Sequence, residues 1–217
     1  KMLGGFTDRV PVYIAGGYYE DGKGLKELAS EMEAALDLGA DAIKMKIGGA
    51  TIKEDVERVR VVRETVGPEI KLMVDANCAY NVYEAIDIAK KMEIDDIYWF
   101  EEPIKYYEFE GYKELRKRMK TPIILGENFH GFDDAFTALK NQISDFIMPD
   151  LLRIGGVSAW LKTASIAEAF QISVSSHLYH EVSSHLMRVT PTAGYLEWTR
   201  WSNIILEEPY ELSDGHV

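Results

Sequence analysis

Apolar and polar positions follow two alternating patterns along the chain. Short, nearly continuous apolar runs recur, and most of them precede a segment in which apolar residues repeat every three or four positions. The first pattern is typical of strands covered on both faces in a parallel sheet, and the second of helices that pack by one face. The predicted strands cover residues 10–14, 42–46, 71–75, 97–101, 122–127, 145–148, 172–175 and 194–197.

Helix boundaries support the alternation. Thr51 with Glu54, and Asn81 with Glu84, have the spacing of N-terminal capping pairs, and Gly67 is placed to end the helix between them. Eight strands joined by helical crossovers predict an α/β fold of the TIM-barrel type, with residues 1–217 as one domain. An open doubly wound sheet is the alternative, but its Gly-x-Gly-x-x-Gly fingerprint does not follow the first strand.

Composition narrows the function classes. The 217 residues are 47% hydrophobic, which is enough for one large core, and carry a formal net charge of −12. This acidic balance lacks the basic footprint of a nucleic-acid-binding protein. The single cysteine, Cys78, excludes an internal disulfide framework and suits a reducing compartment. No apolar run approaches the roughly 18 residues of a membrane span. We therefore expect a cytoplasmic protein without nucleic-acid or membrane partners.

Polar residues stand at the carboxyl ends of nearly all the predicted strands. Successive members lie about one strand-plus-helix unit apart, and in a barrel the carboxyl ends of the strands form the mouth that carries the chemistry. These residues should therefore meet at one site. They are Lys44, Lys46, Asp75, Asn77, Glu101, Glu102, Glu127, Asn128, Asp150, His177 and Glu197.

Asp75, Glu101 and Glu127 end three consecutive predicted strands. One such acid alone would indicate a helix cap or a surface ion pair. Three carboxylates in one partly buried site repel one another and raise one another's pKa, and a divalent cation relieves that conflict. Mg²⁺ is suited to a few carboxylates and keeps positions open for substrate. The spacing therefore predicts a magnesium site.

Two further pairs suggest proton transfer. Lys44 and Lys46 are two residues apart in a strand, so both side chains project to one face, where one ammonium group lowers the pKa of the other and favours a general base. Asp150 and His177 end neighbouring strands, where a carboxylate would orient the imidazole and raise its basicity. His180 and His185 match no zinc-protease spacing, and we expect structural or peripheral roles for them. Together with the acids, the pairs indicate proton abstraction.

The order of these motifs resembles the enolase superfamily, and specifically its mandelate racemase subgroup. The similarity runs from the second predicted strand to the eighth and is highly specific in combination. The motifs are Lys44-Met45-Lys46, Val74-Asp75-Ala76-Asn77, Glu101-Glu102-Pro103, Gly126-Glu127-Asn128, Met148-Pro149-Asp150 followed by Arg153-Ile154-Gly155-Gly156-Val157, Ser175-Ser176-His177-Leu178 and Leu196-Glu197-Trp198.

The resemblance implies a (β/α)7β variant of the barrel and a role for each matching residue. Asp75, Glu101 and Glu127 would be the ligands of one Mg²⁺ ion. Lys46 would be one acid/base, and His177, backed by Asp150, would be the acid/base on the opposite face. Lys44 would contact the substrate carboxylate and depress the pKa of Lys46. Glu197 would hydrogen-bond the developing enediolate oxygen, which requires a protonated or shared-proton carboxyl group.

The family also carries a capping domain that supplies much of the substrate specificity. Here the chain enters its first predicted strand soon after Lys1 and stops soon after Glu197, so we expect the complete capping domain to be absent from this chain. The barrel then indicates the reaction and conceals the substrate.

The predicted reaction is metal-dependent abstraction of the α-proton of a small hydroxy carboxylate. It leads to dehydration of an acid sugar, which the larger membership favours, or to racemisation or epimerisation. One alternative is a metal-assisted barrel hydrolase, against which the lysine pair counts. The other is a non-catalytic binding barrel, against which the complete set of expected residues counts. We also expect a homo-oligomer.

Overall fold

Eight parallel strands form the centre of the fold in the computed structural model, which describes residues 3–209 and 211–217. They coincide with the eight predicted strands, with shifts of a few residues at the ends. In chain order, β1 to β8 are Val12–Gly16, Ala42–Lys46, Lys71–Asp75, Ile97–Glu101, Ile123–Leu125, Phe146–Ile147, Ser173–Val174 and Leu196–Trp198.

Seven α-helices alternate with the strands in the described part of the chain. In chain order, α1 to α7 are Leu25–Leu36, Ile52–Val66, Val82–Lys91, Phe109–Arg118, Phe132–Asn141, Gly156–Ala169 and His180–Met187. The two predicted caps are confirmed: the Thr51 and Asn81 side chains accept hydrogen bonds from the backbone N–H groups of Glu54 and Glu84. These caps fix the starts of α2 and α3, and so the lengths of the loops that precede them.

The sheet closes on itself. Its strand order is β7-β6-β5-β4-β3-β2-β1-β8, and β7 and β8 are connected by backbone hydrogen bonds from Gly194 N to Val174 O at 2.8 Å and from Ser176 N to Tyr195 O at 3.0 Å. The described residues after β8 contain a 3-10 helix, Trp201–Ile205, and no α-helix. The fold is therefore a (β/α)7β barrel, and the open doubly wound alternative is wrong.

Two separate apolar cores result from the two-residue alternation of side chains along each strand. In β3, Leu72 and Val74 face the surrounding helices, whereas Met73 faces the barrel interior. The outer core is large and holds the helices on the barrel, and the inner core is a plug below the mouth. The members of the inner core are Tyr13, Ala42, Met73, Trp99, Ile124, Met148 and Tyr195.

A β-bulge at Tyr98 changes the alternation in β4. Leu72 lies opposite Ile97, but the next residue, Met73, lies opposite Trp99, so Tyr98 is an extra residue in the ladder. Ile97 belongs to the outer core, and strict alternation from it would turn Glu101 outward. The bulge shifts the phase by one residue and brings Glu101 to the inner face.

Candidate active site

All eight predicted site residues lie at the mouth formed by the carboxyl ends of the strands. Lys44 and Lys46 belong to β2, Asp75 ends β3 and Glu101 ends β4. The others lie at or just beyond the ends of later strands, in the order Glu127, Asp150, His177 and Glu197. Hydrogen bonds and ion pairs connect these side chains into two groups, one around Lys44 and one around His177. The two groups meet where oxygens of Asp75, Glu101 and Glu127 lie within 4.8 Å of one another. The predicted convergence of strand ends is therefore observed.

Asp75, Glu101 and Glu127 are buried and form a carboxylate cluster. Each offers an oxygen, and these oxygens lie within 4.8 Å of one another. Burial and the nearby charge of Asp75 raise the pKa of Glu101 well above its ordinary value. In the described part of the chain, Glu101 Oε2 has no hydrogen-bond partner, and the one polar contact given for Glu127 Oε2 is His177 Nε2 at 3.2 Å. Three hard oxygen donors, one of them with an uncompensated buried atom, fit a divalent cation such as Mg²⁺.

Lys44 lies among the carboxylates and is almost completely buried. Its Nζ is 2.8 Å from Glu197 Oε1, 2.9 Å from Glu101 Oε1 and 3.6 Å from Asp75 Oδ2. It also donates a hydrogen bond to the hydroxyl oxygen of Tyr13 at 3.3 Å. Burial by itself would lower the pKa of Lys44, but the charges of Glu101 and Glu197 outweigh it and raise that pKa well above the ordinary value. Lys44 is therefore a buried cation that partly neutralises the cluster.

Lys46 lies nearer the opening of the mouth. Its Nζ is 2.5 Å from Asp75 Oδ2 and donates to Asn77 Oδ1 at 2.8 Å, and the Tyr18 ring lies 5.7 Å away. Lys44 and Lys46 share one face, as expected, and both contact Asp75. Burial raises the pKa of Asp75, but the two ammonium groups outweigh it, and that pKa lies below its ordinary value.

His177 and Asp150 form the predicted pair. His177 Nδ1 lies 2.8 Å from Asp150 Oδ2, and Nε2 lies 3.2 Å from Glu127 Oε2. Asp150 Oδ1 accepts hydrogen bonds from the backbone N–H groups of Leu152 and Arg153 at 2.9 Å, which fix the carboxylate. Burial lowers the pKa of His177, but the Asp150 hydrogen bond, followed by the charges of Glu197 and Glu127, raises it above its ordinary value. Asp150 thus orients the ring and increases its basicity.

Glu197 differs from the simplest expectation for its role. Its Oε1 contacts Lys44, and its Oε2 accepts a hydrogen bond from the backbone N–H of Leu178 at 2.8 Å. Burial raises the pKa of Glu197, but Lys44 and His177 outweigh it, so that pKa lies below its ordinary value. The carboxyl group is ionised in this arrangement. A proton that this carboxyl group shares would come from the Lys44 ammonium group, 2.8 Å from its Oε1.

Three further residues differ in their relation to the site. The hydroxyl of Tyr13, which the sequence reasoning missed, lies beside Lys44; the two-residue alternation of β1 was the signal that could have found it. His180 is buried with its ring 4.3 Å from the Trp198 ring, in agreement with a structural role. His185 lies on the exposed side of α7.

The Cys78 thiol gives a first prediction. Burial, followed by the charge of Glu102, raises the pKa of Cys78 above its ordinary value, and the thiolate is the reactive form. We expect alkylation by iodoacetamide at pH 8 to be at least about 100-fold slower in the folded protein than in concentrated urea. Mass spectrometry of timed samples measures both rates. Equal rates would contradict the buried contact between Cys78 and Glu102.

This arrangement of site residues belongs to a known protein family, as comparison of the sequence with family models indicates. A sequence model described as "Enolase C-terminal domain-like" matches residues 27–217, which is most of the chain. The chain belongs to the enolase C-terminal domain-like family. This confirms the resemblance to the enolase superfamily and agrees with the (β/α)7β barrel.

Similar family members bind magnesium and small acids. The L-talarate/galactarate dehydratase of Salmonella typhimurium LT2 is 34% identical over 218 residues, covering 100% of this chain and 54% of that protein. A solved enolase from Bradyrhizobium, complexed with magnesium and mandelic acid, superposes with a TM-score of 0.93 at 34% identity over 100% of this chain and 59% of its own. An L-talarate dehydratase from Polaromonas sp. JS666, complexed with Mg and L-glucarate, gives 0.92 at 30% identity over 99% and 60%.

This chain covers about half to three fifths of the length of these relatives. Within the described residues, no helix is both long and apolar enough to cross a membrane.

Proposed function

We propose that this barrel abstracts the α-proton of a small hydroxy carboxylate with the help of one Mg²⁺ ion, and that the product is a dehydrated acid sugar. The observation that carries the proposal is the arrangement of Lys46 and His177 on either side of the carboxylate cluster of Asp75, Glu101 and Glu127. The relatives named as dehydratases favour an acid sugar.

In this proposal the three carboxylates hold the cation, which supplies positive charge to the substrate oxygens. The chain's own groups do the rest. Lys46 and His177 are the acid/base residues, and Asp150 keeps His177 in the orientation that leaves Nε2 facing the mouth. Lys44, with Glu197, offers a proton to the substrate carboxylate as negative charge develops there. A carbon acid next to a carboxylate ionises with difficulty because a dianion forms, and groups aimed at those oxygens offset the new charge.

Racemisation or epimerisation is the second outcome of the same first step. A base on each side of the carbon allows the proton to return from the opposite face, and mandelic acid, bound in the Bradyrhizobium structure, has no β-hydroxyl group to lose. Dehydration instead needs a β-hydroxyl group and an acid to assist its departure. His177, whose pKa is raised, suits that acid role.

The remaining parts of the proposal concern the protein as a unit. Residues 1–217 act as one catalytic barrel domain, the protein forms a homo-oligomer, and its partners are small acids, with no nucleic-acid partner. Light scattering measures the oligomeric state. The hydrolase and binding-barrel alternatives would be favoured by hydrolysis without proton exchange or by ligand binding without turnover.

A library of acid sugars and 2-hydroxy acids tests the reaction. With Mg²⁺, we expect formation of 2-keto-3-deoxy products from at least one acid sugar. In deuterium oxide we also expect one solvent deuterium at carbon 3 of that product, where the enol left by departure of the β-hydroxyl group is reprotonated. Excess chelator should abolish product formation. Mg²⁺-dependent turnover without any exchange or loss of an α-proton would contradict the proposal.

Replacement of Lys44 tests its role as the buried counter-charge. Lys44→Met leaves Glu101 and Glu197 without their shared cation, and we expect the metal-free protein to lose about 3–5 kcal/mol of unfolding free energy at neutral pH. The loss should shrink as pH falls. A carboxyl group whose pKa is raised by folding, as for Glu101, takes up a proton more readily when folded, and the protonated form needs no counter-charge.

Urea unfolding at several pH values measures this loss. Lys113→Met is the matched control, because the half-exposed Lys113 pairs with the exposed Glu110 at 2.6 Å within α4. This control variant should lose only about 0–1 kcal/mol of unfolding free energy. Equal stability of wild type and Lys44→Met at neutral pH would remove Lys44 from the charge balance of the site.

A further inference from the structure

Another buried carboxylate, Glu102, lies directly behind the cluster and has no task in the proposed reaction. It follows Glu101 in sequence, but its side chain faces away from the mouth and is fully buried. Its backbone has a φ of 36°, which is rare and costly for a residue other than glycine. Such an arrangement persists only where surrounding contacts hold it.

Those contacts come from the loops on both sides. Glu102 Oε2 accepts a hydrogen bond from Asn128 Nδ2 at 2.6 Å and one from Cys78 Sγ at 3.0 Å, and Oε1 accepts one from the backbone N–H of Gly126 at 3.2 Å. Cys78 belongs to the loop after β3, and Gly126 and Asn128 belong to the loop after β5. The backbone N–H of Cys78 also donates to the carbonyl oxygen of Glu102 at 2.7 Å.

The same three loops carry the three proposed ligands. Asp75 ends β3 just before the loop of Cys78, Glu101 precedes Glu102, and Glu127 lies between Gly126 and Asn128. Asn128 extends the connection, because its Nδ2 also lies 3.2 Å from Glu127 Oε1. One side chain therefore connects the backbone positions from which all three ligand oxygens project.

We propose that Glu102 is a positioning residue of the divalent-cation site, because its buried carboxylate holds together the loops that present Asp75, Glu101 and Glu127. The inference rests on the proposed function, since it takes these three residues as ligands. Groups behind a metal site that orient its ligands commonly change metal affinity by 10–100-fold when they are replaced.

The Glu102→Gln variant is a sharp probe of this role. A carboxylate only accepts hydrogen bonds, and both oxygens of Glu102 face donors. Glutamine keeps the shape but replaces one oxygen with an NH₂ group, which then points a donor at a donor. We expect the loops to separate slightly and the ligand oxygens to lose their alignment.

Asp55 provides a matched control on another part of the mouth. It lies fully buried in α2 and accepts hydrogen bonds from the backbone N–H of Gly48 at 2.9 Å, from the Tyr80 hydroxyl at 2.9 Å and from the Tyr19 hydroxyl. It therefore connects the loops after β1, β2 and β3, so it contacts only one of the three loops that carry proposed ligands, and none of its three partners is itself a proposed ligand. Asp55→Asn makes the same chemical change to an equally buried carboxylate.

The experiment is a calorimetric titration of metal-free protein with Mg²⁺. We expect Glu102→Gln to bind Mg²⁺ about 10–100-fold more weakly than wild type, and Asp55→Asn to bind within about twofold of wild type, even if both variants melt at lower temperature. Turnover of Glu102→Gln should recover at saturating Mg²⁺, because the reacting groups are unchanged.

Each other outcome overturns the inference. Wild-type affinity in Glu102→Gln removes its positioning role while the proposed function stands. Equal weakening in both variants shows a general loss of packing. A wild-type protein that does not bind Mg²⁺ overturns the proposed function and this inference together. If Glu102→Gln does not fold, Asn128→Ala removes one donor from a half-buried position, and it should weaken Mg²⁺ binding about tenfold; unchanged affinity there also overturns the inference.

Discussion

Glu101→Gln is expected to abolish Mg²⁺-dependent turnover, with a fall in kcat/KM of about 10³-fold or more, because a cation that acts as a Lewis acid contributes several kcal/mol to the transition state. Glu101 Oε1 contacts Lys44, and its buried Oε2 has no hydrogen-bond partner among the described residues, so this oxygen is the one available to a cation. Glutamine keeps the shape but removes the negative charge and makes a poorer ligand.

Steady-state kinetics at several Mg²⁺ concentrations measures the effect. Glu102→Gln is the control, since it makes the same change one residue along the chain, outside the proposed ligand set. Saturating Mg²⁺ should restore its turnover and should fail to restore that of Glu101→Gln. A melting temperature close to that of wild type, measured without Mg²⁺, would show that Glu101→Gln is folded. Turnover near wild type at limiting Mg²⁺ would exclude Glu101 as a ligand.

The second large effect separates the two faces of the substrate carbon. His177→Asn should reduce kcat of the overall reaction by about 10²–10⁴-fold, because a positioned acid or base usually contributes that much to the rate. Lys46, on β2, approaches the mouth from another side than His177, which follows β7. We therefore expect His177→Asn to retain exchange of the α-proton with solvent deuterium for the stereoisomer that presents its proton to Lys46.

Proton NMR in deuterium oxide, with each stereoisomer at the α-carbon incubated separately, measures this exchange. The asparagine amide can still donate to Asp150, so the pocket should remain folded around the substitution. Lys46→Met is the mirror variant, and it should retain exchange only for the opposite stereoisomer. Equal loss of exchange for both stereoisomers in folded, Mg²⁺-binding His177→Asn would contradict a division of labour between two bases.

The sequence was sufficient to predict the fold class and to predict which residues meet at the mouth of the barrel. Apolar runs separated by helical stripes predicted eight strands, and the barrel requires the carboxyl ends of those strands to meet. Residues as far apart as Lys44 and Glu197 could therefore be assigned to one site before any contact was known, and they lie 2.8 Å apart. This succeeds because chain direction and burial pattern fix which end of a parallel strand faces the mouth.

Other features depended on the tertiary structure. Strict alternation from Ile97 would turn Glu101 outward, and only the bulge at Tyr98 brings it beside Asp75. The lysine pair was predicted as two neighbouring ammonium groups, yet burial among Glu101 and Glu197 makes Lys44 a counter-charge with a raised pKa. In the same way, Glu197 is ionised rather than protonated on its own.

The physical reason is the range of the interactions. Strand periodicity and end residues are local properties that the sequence displays directly. Register, the direction of each buried charge and the hydrogen bonds that Glu102 accepts from two other loops depend on contacts between segments distant in the chain. Their energies are set by packing and by the low polarity of the interior, which exist only once the barrel has closed.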